Sequence, residues 1–332
     1  MPTSASSPST DVQATRPRVP VSLSRVGVNE TEKVVRLITP EGEHPYHATF
    51  ECVVELAGSQ KGAHMSRFEE VINETIGELV VSASTTLRAE HLAAHIAEVV
   101  RDRQQARRAE VTMVARYPEN KPAPVSGIAT QEIYTLLATA SATERGTRQI
   151  IGVQAQGMTA CPCAQGLIEA SSRERLLTDG FTDDEIERVF KAVPVATHNQ
   201  RGLGTLEIGL PAGSGVQLDA RQLVQIVEAS MSSEIFELMK RSDEGAVVER
   251  AHRNPRFVED CVRETIAGVL DRIPQLGDDV WIGARQENLE TIHQHNVIAT
   301  RVGLLGEIRA ELESRESDLP RHVGREAWLA DA

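Results

Sequence analysis

Apolar and polar positions alternate along this chain in two rhythms, one of strands and one of helices. Residues 19–23 (VPVSL) and 32–37 (EKVVRL) read as strands separated by a turn around 27–30, and residues 49–56 (TFECVVEL) as a third strand. A polar loop follows at 58–67 (GSQKGAHMSR). Ser66 with Glu69 has the spacing of a capping box, and Val71, Ile72, Ile76 and Leu79 then recur at helical intervals. A second helix is predicted over 87–105, with Leu92, Ile96, Val99 and Val100 on one face, before strands at 109–116 and 132–140.

The second half repeats that order. A strand at 148–158 leads into a Cys-bearing segment and a short helix at 183–192; a strand follows at 204–210. Asp219 with Gln222 opens a helix predicted to run to about 241, and Asn254-Pro255 places an N-cap before a first-turn proline for a helix to 273. Strands at 280–285 and 296–303 close the pattern. Each half is thus roughly two strands, two helices and two strands, with one extra strand in the first half, an α+β arrangement with helices on one face of an antiparallel sheet. The expected organisation is a disordered lead-in at 1–18, modules at 19–145 and 146–312, and a flexible tail at 313–332.

Composition narrows the function. The 332 residues are 40% apolar and 3% aromatic, enough for two cores. No apolar run reaches the ~18–20 residues of a membrane span, and the Pro/Ser/Thr-rich N-terminus lacks a secretory apolar block. A cytoplasmic protein with no membrane partner is expected. Lys and Arg total 35 against 48 Asp and Glu, a formal charge of −13, which disfavours nucleic-acid binding through phosphate contacts. Four cysteines are too few for a disulfide framework and are available as ligands or nucleophiles.

Reactive side chains concentrate in three segments of the second half: Cys161-Pro162-Cys163, His198-Asn199-Gln200-Arg201, and Glu290 with His293 and His295. Soft thiolate, imidazole and carboxylate together suit Zn²⁺ or Fe²⁺ better than Mg²⁺ or Ca²⁺. Such a site with a position left for water supplies a nucleophile near neutral pH. The plainer alternative for the cysteines is two small buried residues at a strand end. His91 and His95 share a helix face without a zincin glutamate and read as a solvated face; Cys52 and Cys261 sit in apolar patterns and read as core. Lys61, His64 and Arg67 share one loop, Arg201 follows His198, and Arg253 and Arg256 flank Asn254-Pro255, a basic set suited to a polyphosphate or to solubility alone. Glu249 follows two valines, and a carboxylate there matches a guanine-like N–H/NH₂ edge.

Together these stretches resemble the GTP cyclohydrolases of the type IV/type IB family, closest to its archaeal MptA branch. The similarity is carried by DVQATRPRVPVSLSRVGV at 11–28, SQKGAHMSRF at 59–68, GMTACPCAQ at 157–165, ATHNQRGLGT at 196–205, SSEIFELMKRSDEGAVVERAHRNPRFVEDC at 232–261 and ENLETIHQHN at 287–296. The resemblance implies a tunnelling fold, two α+β modules in tandem, assembled as a homotetramer or homodimer with active sites at subunit interfaces. It implies one divalent metal per subunit, Fe²⁺ first and Zn²⁺ or Mn²⁺ next, held by Cys163, His198, Glu234 and Glu290. Glu249 would anchor guanine, His293 would move protons, and Lys61, His64, Arg67 and Arg201 would contact the triphosphate. Hydrolysis at C8 of GTP would then release formate. The MptA branch yields 7,8-dihydroneopterin 2′,3′-cyclic phosphate and pyrophosphate, the bacterial branch dihydroneopterin triphosphate. A purine- or pterin-binding protein without turnover is the rival of another class.

Overall fold

A computed structural model describes residues 11–39, 42–81, 88–314 and 322–331. Residues 1–10 of the expected lead-in, Leu87, the side chain of Leu79, and residues 315–321 and 332 of the expected tail lie outside the described residues. Contacts gather the chain into two compact units. The first takes the described residues up to Val114 with Ala138–Gln149, the second Ala115–Leu137 and Ile150–Asp331, so residues 115–137 group with the second unit.

The first unit opens with β1 (Leu23–Thr39) and β2 (Gly42–Leu56), paired antiparallel from Thr39↔Gly42 to Leu23↔Leu56. The two short strands expected at 19–23 and 32–37 are therefore replaced by one long strand, with residues 19–22 outside it. The expected turn is a bulge inside the ladder: the register shifts between Val28 and Thr31, and Glu30 takes φ 54°. Gly27 serves close approach, since a Cβ there would lie 1.9 Å from the Cys52 carbonyl oxygen. Helices α1 (Met65–Val81) and α2 (Ala89–Gln104) bury Phe68, Val71 and Ile72 from one and Leu92, Ile96 and Val100 from the other. Ser66 lies inside α1 and does not cap it. Glu69 accepts instead from Thr31 Oγ1 at 3.2 Å and pairs with Lys33 at 3.1 Å, a charge-assisted partner that a free backbone N–H does not match. The unit also takes parts of β3 (Arg108–Pro122), β4 (Ala129–Thr143) and β5 (Gly146–Ala160).

In the second unit β5, β6 (Asn199–Leu210), β8 (Trp281–Leu289) and β9 (Val297–Leu304) neighbour one another in that order, and the two-residue β7 (Ser233–Glu234) pairs antiparallel with β5. Between β5 and β6 lie α3 (Pro162–Thr178) and α4 (Asp183–Ala192). Helix α3 buries none of its residues, so it carries no apolar periodicity, and the sequence pattern passed over it. Helix α5 (Ala220–Ala229) is capped by Asp219 as predicted but stops twelve residues short of 241. Its successor α6 (Arg241–Arg253) has in its first turn Asp243, a buried carboxylate accepting from Val125 N, Ser126 N, Ser126 Oγ and Lys240 N at 2.7–2.9 Å. Those donors, the Ser126 hydroxyl first, hold its carboxyl far below the usual range.

Asn254-Pro255 ends α6 instead of opening the next helix. Asn254 is the C-cap, and α7 (Val258–Arg272) starts three residues beyond Pro255, its Phe257 N–H capped by Asp260 at 3.0 Å. Apolar residues of α5 and α7, among them Leu223, Val227, Val262 and Val269, are buried with Leu206, Ile208 and Ile282 of the strands. After α8 (Leu305–Ser314), the stretch expected as a tail contains α9 (Arg325–Ala330). Its buried Trp328 packs against Trp281 with ring centres 6.3 Å apart and planes tilted by 31°, and Trp281 Nε1 donates to Val323 O at 2.8 Å. Among the described residues no helix is long and apolar enough to cross a membrane.

Candidate functional site

Strands β6 and β8 run antiparallel with Arg201 opposite Leu289. The residues just ahead of β6 and just beyond β8 therefore meet at one end of the ladder. His198 and Glu290 occupy those two places, with His198 Nδ1 3.8 Å from Glu290 Oε2 and both side chains largely buried. The start of α3 is tied to the same edge: Cys161 N donates to His198 O at 3.1 Å, and Thr197 Oγ1 donates to Cys161 O at 2.8 Å. Gln165, on the first turn of α3, donates to Val195 O at 2.8 Å and His252 O at 2.6 Å. These bonds fix where Cys161 stands relative to the imidazole.

Around this edge is a cavity of about 450 Å³, lined by Cys161, His198, Arg256, Glu290, His293 and His295 among others. The two later imidazoles stack at 5.1 Å with planes 14° apart, on the short connection between β8 and β9. Gly202 opens room behind the cavity wall: a Cβ there would sit 2.4 Å from Gln286 Nε2 and 3.3 Å from Asn288 Oδ1, two buried amides bonded to each other at 3.0 Å.

Of the two thiols, Cys161 lines the cavity and Cys163 is exposed on the first turn of α3. Glu234 does not line it. From β7 it pairs with Lys121 at 2.8 Å, in a second cavity of about 350 Å³. Glu249 is exposed on α6 and pairs with Arg253 one turn on at 2.8 Å. Arg201 is exposed on β6. In the first unit, Lys61 is exposed, and its backbone N–H donates to Gln13 O and Thr15 O at 3.0 and 2.9 Å. His64 Nε2 stands 3.3 Å from Asp11 Oδ2, and Arg67 donates to Arg103 O at 3.0 Å. The structure thus gathers His198, Glu290 and His293 with Cys161, and holds Glu234 and Glu249 in other ion pairs.

Thiol, imidazole and carboxylate around one cavity are the donor types a divalent transition metal takes. Among the described residues no three His, Cys, Asp or Glu side chains close to coordination distance of a common point. The donor types fit such an ion, and His198 and Glu290 are the two that approach each other most closely, at 3.8 Å.

The second cavity holds a charge network that motif reading missed. Lys121 Nζ donates to Glu228 Oε1 at 2.7 Å and to Glu234 Oε2 at 2.8 Å and lies 4.4 Å from the centre of the Phe236 ring. Tyr134 OH donates to the same Glu228 oxygen at 2.8 Å. Burial raises the Glu228 carboxyl above its ordinary value against the pull of Lys121, and burial beside Glu228 raises the Tyr134 hydroxyl. Gln200, named in the sequence only as an amide beside His198, is a buried residue of β6.

GTP cyclohydrolase MptA of Methanococcus aeolicus is 42% identical over 311 residues, covering 91% of this chain and 99% of that protein. The protein of that name from Methanocaldococcus jannaschii is 39% identical over 312 residues, covering 92% and 98%. Among solved structures, uricase from Arthrobacter globiformis aligns with a TM-score of 0.48 at 7% identity, over 90% of this chain and 96% of that one. The family model described as type I GTP cyclohydrolase folE2 matches residues 10–299, nearly the whole span from Asp11 to the end of the strand after His295. The chain belongs to the type I GTP cyclohydrolase family.

Proposed function

We propose that this chain is a metal-dependent GTP cyclohydrolase acting at the first step of pterin cofactor biosynthesis, with 7,8-dihydroneopterin 2′,3′-cyclic phosphate, formate and pyrophosphate as products. The observation that carries the reading is the His198–Glu290 approach beside Cys161, within a chain whose relatives bear that activity in their names. His198, Glu290 and Cys161 are the residues proposed to hold Fe²⁺, Zn²⁺ or Mn²⁺, with Cys163 and Glu234 as the further donors that family resemblance offers. The bound ion would supply Lewis acidity and lower the pKa of water at the cavity.

The protein groups then have separable tasks. Glu249 accepts from the N–H and NH₂ of guanine and sets the ring so that C8 faces the cavity, a contribution of orientation. Reaching guanine requires Glu249 to leave Arg253, which its exposure permits. His293 takes a proton as a first water adds at C8 and returns it to N9 as the C8–N9 bond opens; a second water then adds to the resulting formamide, and the C8–N7 bond breaks with the proton passing to N7 as formate departs. Lys61, His64, Arg67 and Arg201 neutralise the triphosphate. In this reading the two units are tunnelling-fold modules, and copies of the chain assemble as a homotetramer so that basic loop and cavity serve one site.

The test is anaerobic incubation of purified protein with GTP and Fe²⁺, followed by formate measurement and product mass. One formate per GTP and the mass of the cyclic phosphate support the proposal. The triphosphate mass would replace the product assignment, and tight GTP binding without formate would identify a non-hydrolytic binding protein.

A further inference from the structure

The side chain of Gln200 lies at the back of the His198 imidazole. It is buried, 6% exposed, on β6 two residues beyond the histidine. Its Nε2 donates to Thr159 Oγ1 on β5 at 3.0 Å, and its Oε1 stands 3.0 Å from His198 Nδ1. Thr159 is fully buried, so the hydroxyl that receives the amide is itself held in the core. Glu290 Oε2 stands 3.8 Å from the same nitrogen, beyond hydrogen-bond distance. A neutral imidazole carries one N–H, and with the Gln200 oxygen in reach that proton belongs on Nδ1. The lone pair then resides on Nε2, the atom a cation would need.

We propose that Gln200 is a positioning residue: by accepting from Nδ1–H it fixes the tautomer and ring orientation of His198 and leaves Nε2 as the electron pair offered to the cavity. The proposal rests on the reading of His198 as a metal ligand, but its first consequence is a property of the metal-free protein. An orienting acceptor on the far nitrogen of a ligating histidine contributes about 10- to 100-fold to metal affinity. The amide is a neutral acceptor at Oε1, and its Nε2 is engaged by Thr159. Thr159 therefore belongs to the same device, one bond further from the imidazole.

The experiment is long-range ¹H–¹⁵N NMR of the full chain, metal-free and labelled at histidine, about two pH units above the ordinary imidazole pKa. The spectrum of a His198→Gln variant assigns the His198 signals. The expected result is the Nδ1–H form in the wild type, and a shift toward Nε2–H in Gln200→Leu and, more weakly, in Thr159→Val. Competition for Co²⁺ against a chelator should show about 10- to 100-fold weaker binding in Gln200→Leu and recovery in Gln200→Glu, whose carboxylate also accepts from Nδ1–H. Thermal melts identify any variant that fails to fold, and Thr159→Val tests the same claim with Gln200 left in place. An Nε2–H wild type, or a tautomer unmoved in folded Gln200→Leu, overturns the proposal. Nδ1–H in a wild type that binds no Co²⁺ would leave the tautomer assignment standing and remove the metal reading instead.

Discussion

Two cavities of the second unit, of about 350 and 450 Å³, are lined by different polar side chains and treat them differently: acids and bases in one, imidazoles and a thiol with fewer charges in the other. In the cavity at Lys121, every principal group is paired within the protein: the ammonium spans Glu228 and Glu234, and Tyr134 completes Glu228. At His198, the polar bonds run behind the reactive atoms. Gln200 meets the far nitrogen of the imidazole, and the bonds at Cys161 use its backbone and leave the thiol to the cavity wall. A network that satisfies its own charges contributes structure. A site holds donors in place through atoms other than the ones it will use.

Substituting one residue in each cavity should separate the two roles. The largest effect is expected from His198→Ala, which removes the imidazole: kcat/KM for GTP should fall by at least about 10²-fold, with the melting temperature nearly unchanged. Comparable turnover in the variant would place the chemistry elsewhere. Lys121→Met should act in the opposite sense on the two readouts. It leaves two partly buried carboxylates without their cation, at a cost of about 3 kcal/mol in unfolding free energy. The Glu228 carboxyl is raised in the folded state, so its ionised form opposes folding; stability falls as pH climbs above the ordinary carboxylate pKa and recovers as pH falls. Removing the opposing ammonium enlarges that dependence, and denaturant melts should show the Lys121→Met deficit shrinking toward pH 5. A deficit that grows on acidification would contradict the network as described.

Smaller effects sharpen the contrast. Glu249→Gln should raise KM for GTP about tenfold, with kcat changed less, because a charged acceptor to guanine is replaced by a neutral one; an unchanged KM argues against anchoring. Tyr134→Phe should cost about 1 kcal/mol, the worth of one buried hydrogen bond, and leave turnover intact. Thiol labelling offers a check without mutation. Burial pushes the Cys52 and Cys261 thiols up to about 12, so at pH 8 iodoacetamide should modify Cys161 and Cys163 and leave those two unmodified until the protein unfolds.

Much of this site was legible in the sequence because its members sit at element boundaries with distinctive neighbours. His198 and Glu290 flank strands whose alternation is plain, and antiparallel pairing brings such flanks together. What the pattern concealed has physical causes. Helix α3 buries nothing and so shows no periodicity. The bulge at Glu30 resembles a turn because Asn29-Glu30 is polar and Glu30 takes a positive φ, as turn residues do. Asn254-Pro255 is equally suited to closing a helix and to opening one, and only the neighbouring Asp260 cap decides. Glu234 reads as a surface acid until β7 sets it against Lys121. The Cys161–Cys163 choice turns on side-chain direction at a helix start, which spacing does not encode.

We propose that the donors around His198 hold the ion used in turnover, and the decisive measurement is a crystal structure of Zn²⁺-loaded, turnover-competent protein with anomalous data at the zinc edge. The expected result is a single peak in the His198 cavity, about 2.0–2.3 Å from an imidazole nitrogen of His198 and the sulfur of Cys161. A peak seated between Glu228 and Glu234, or on Cys163 away from His198, would contradict it.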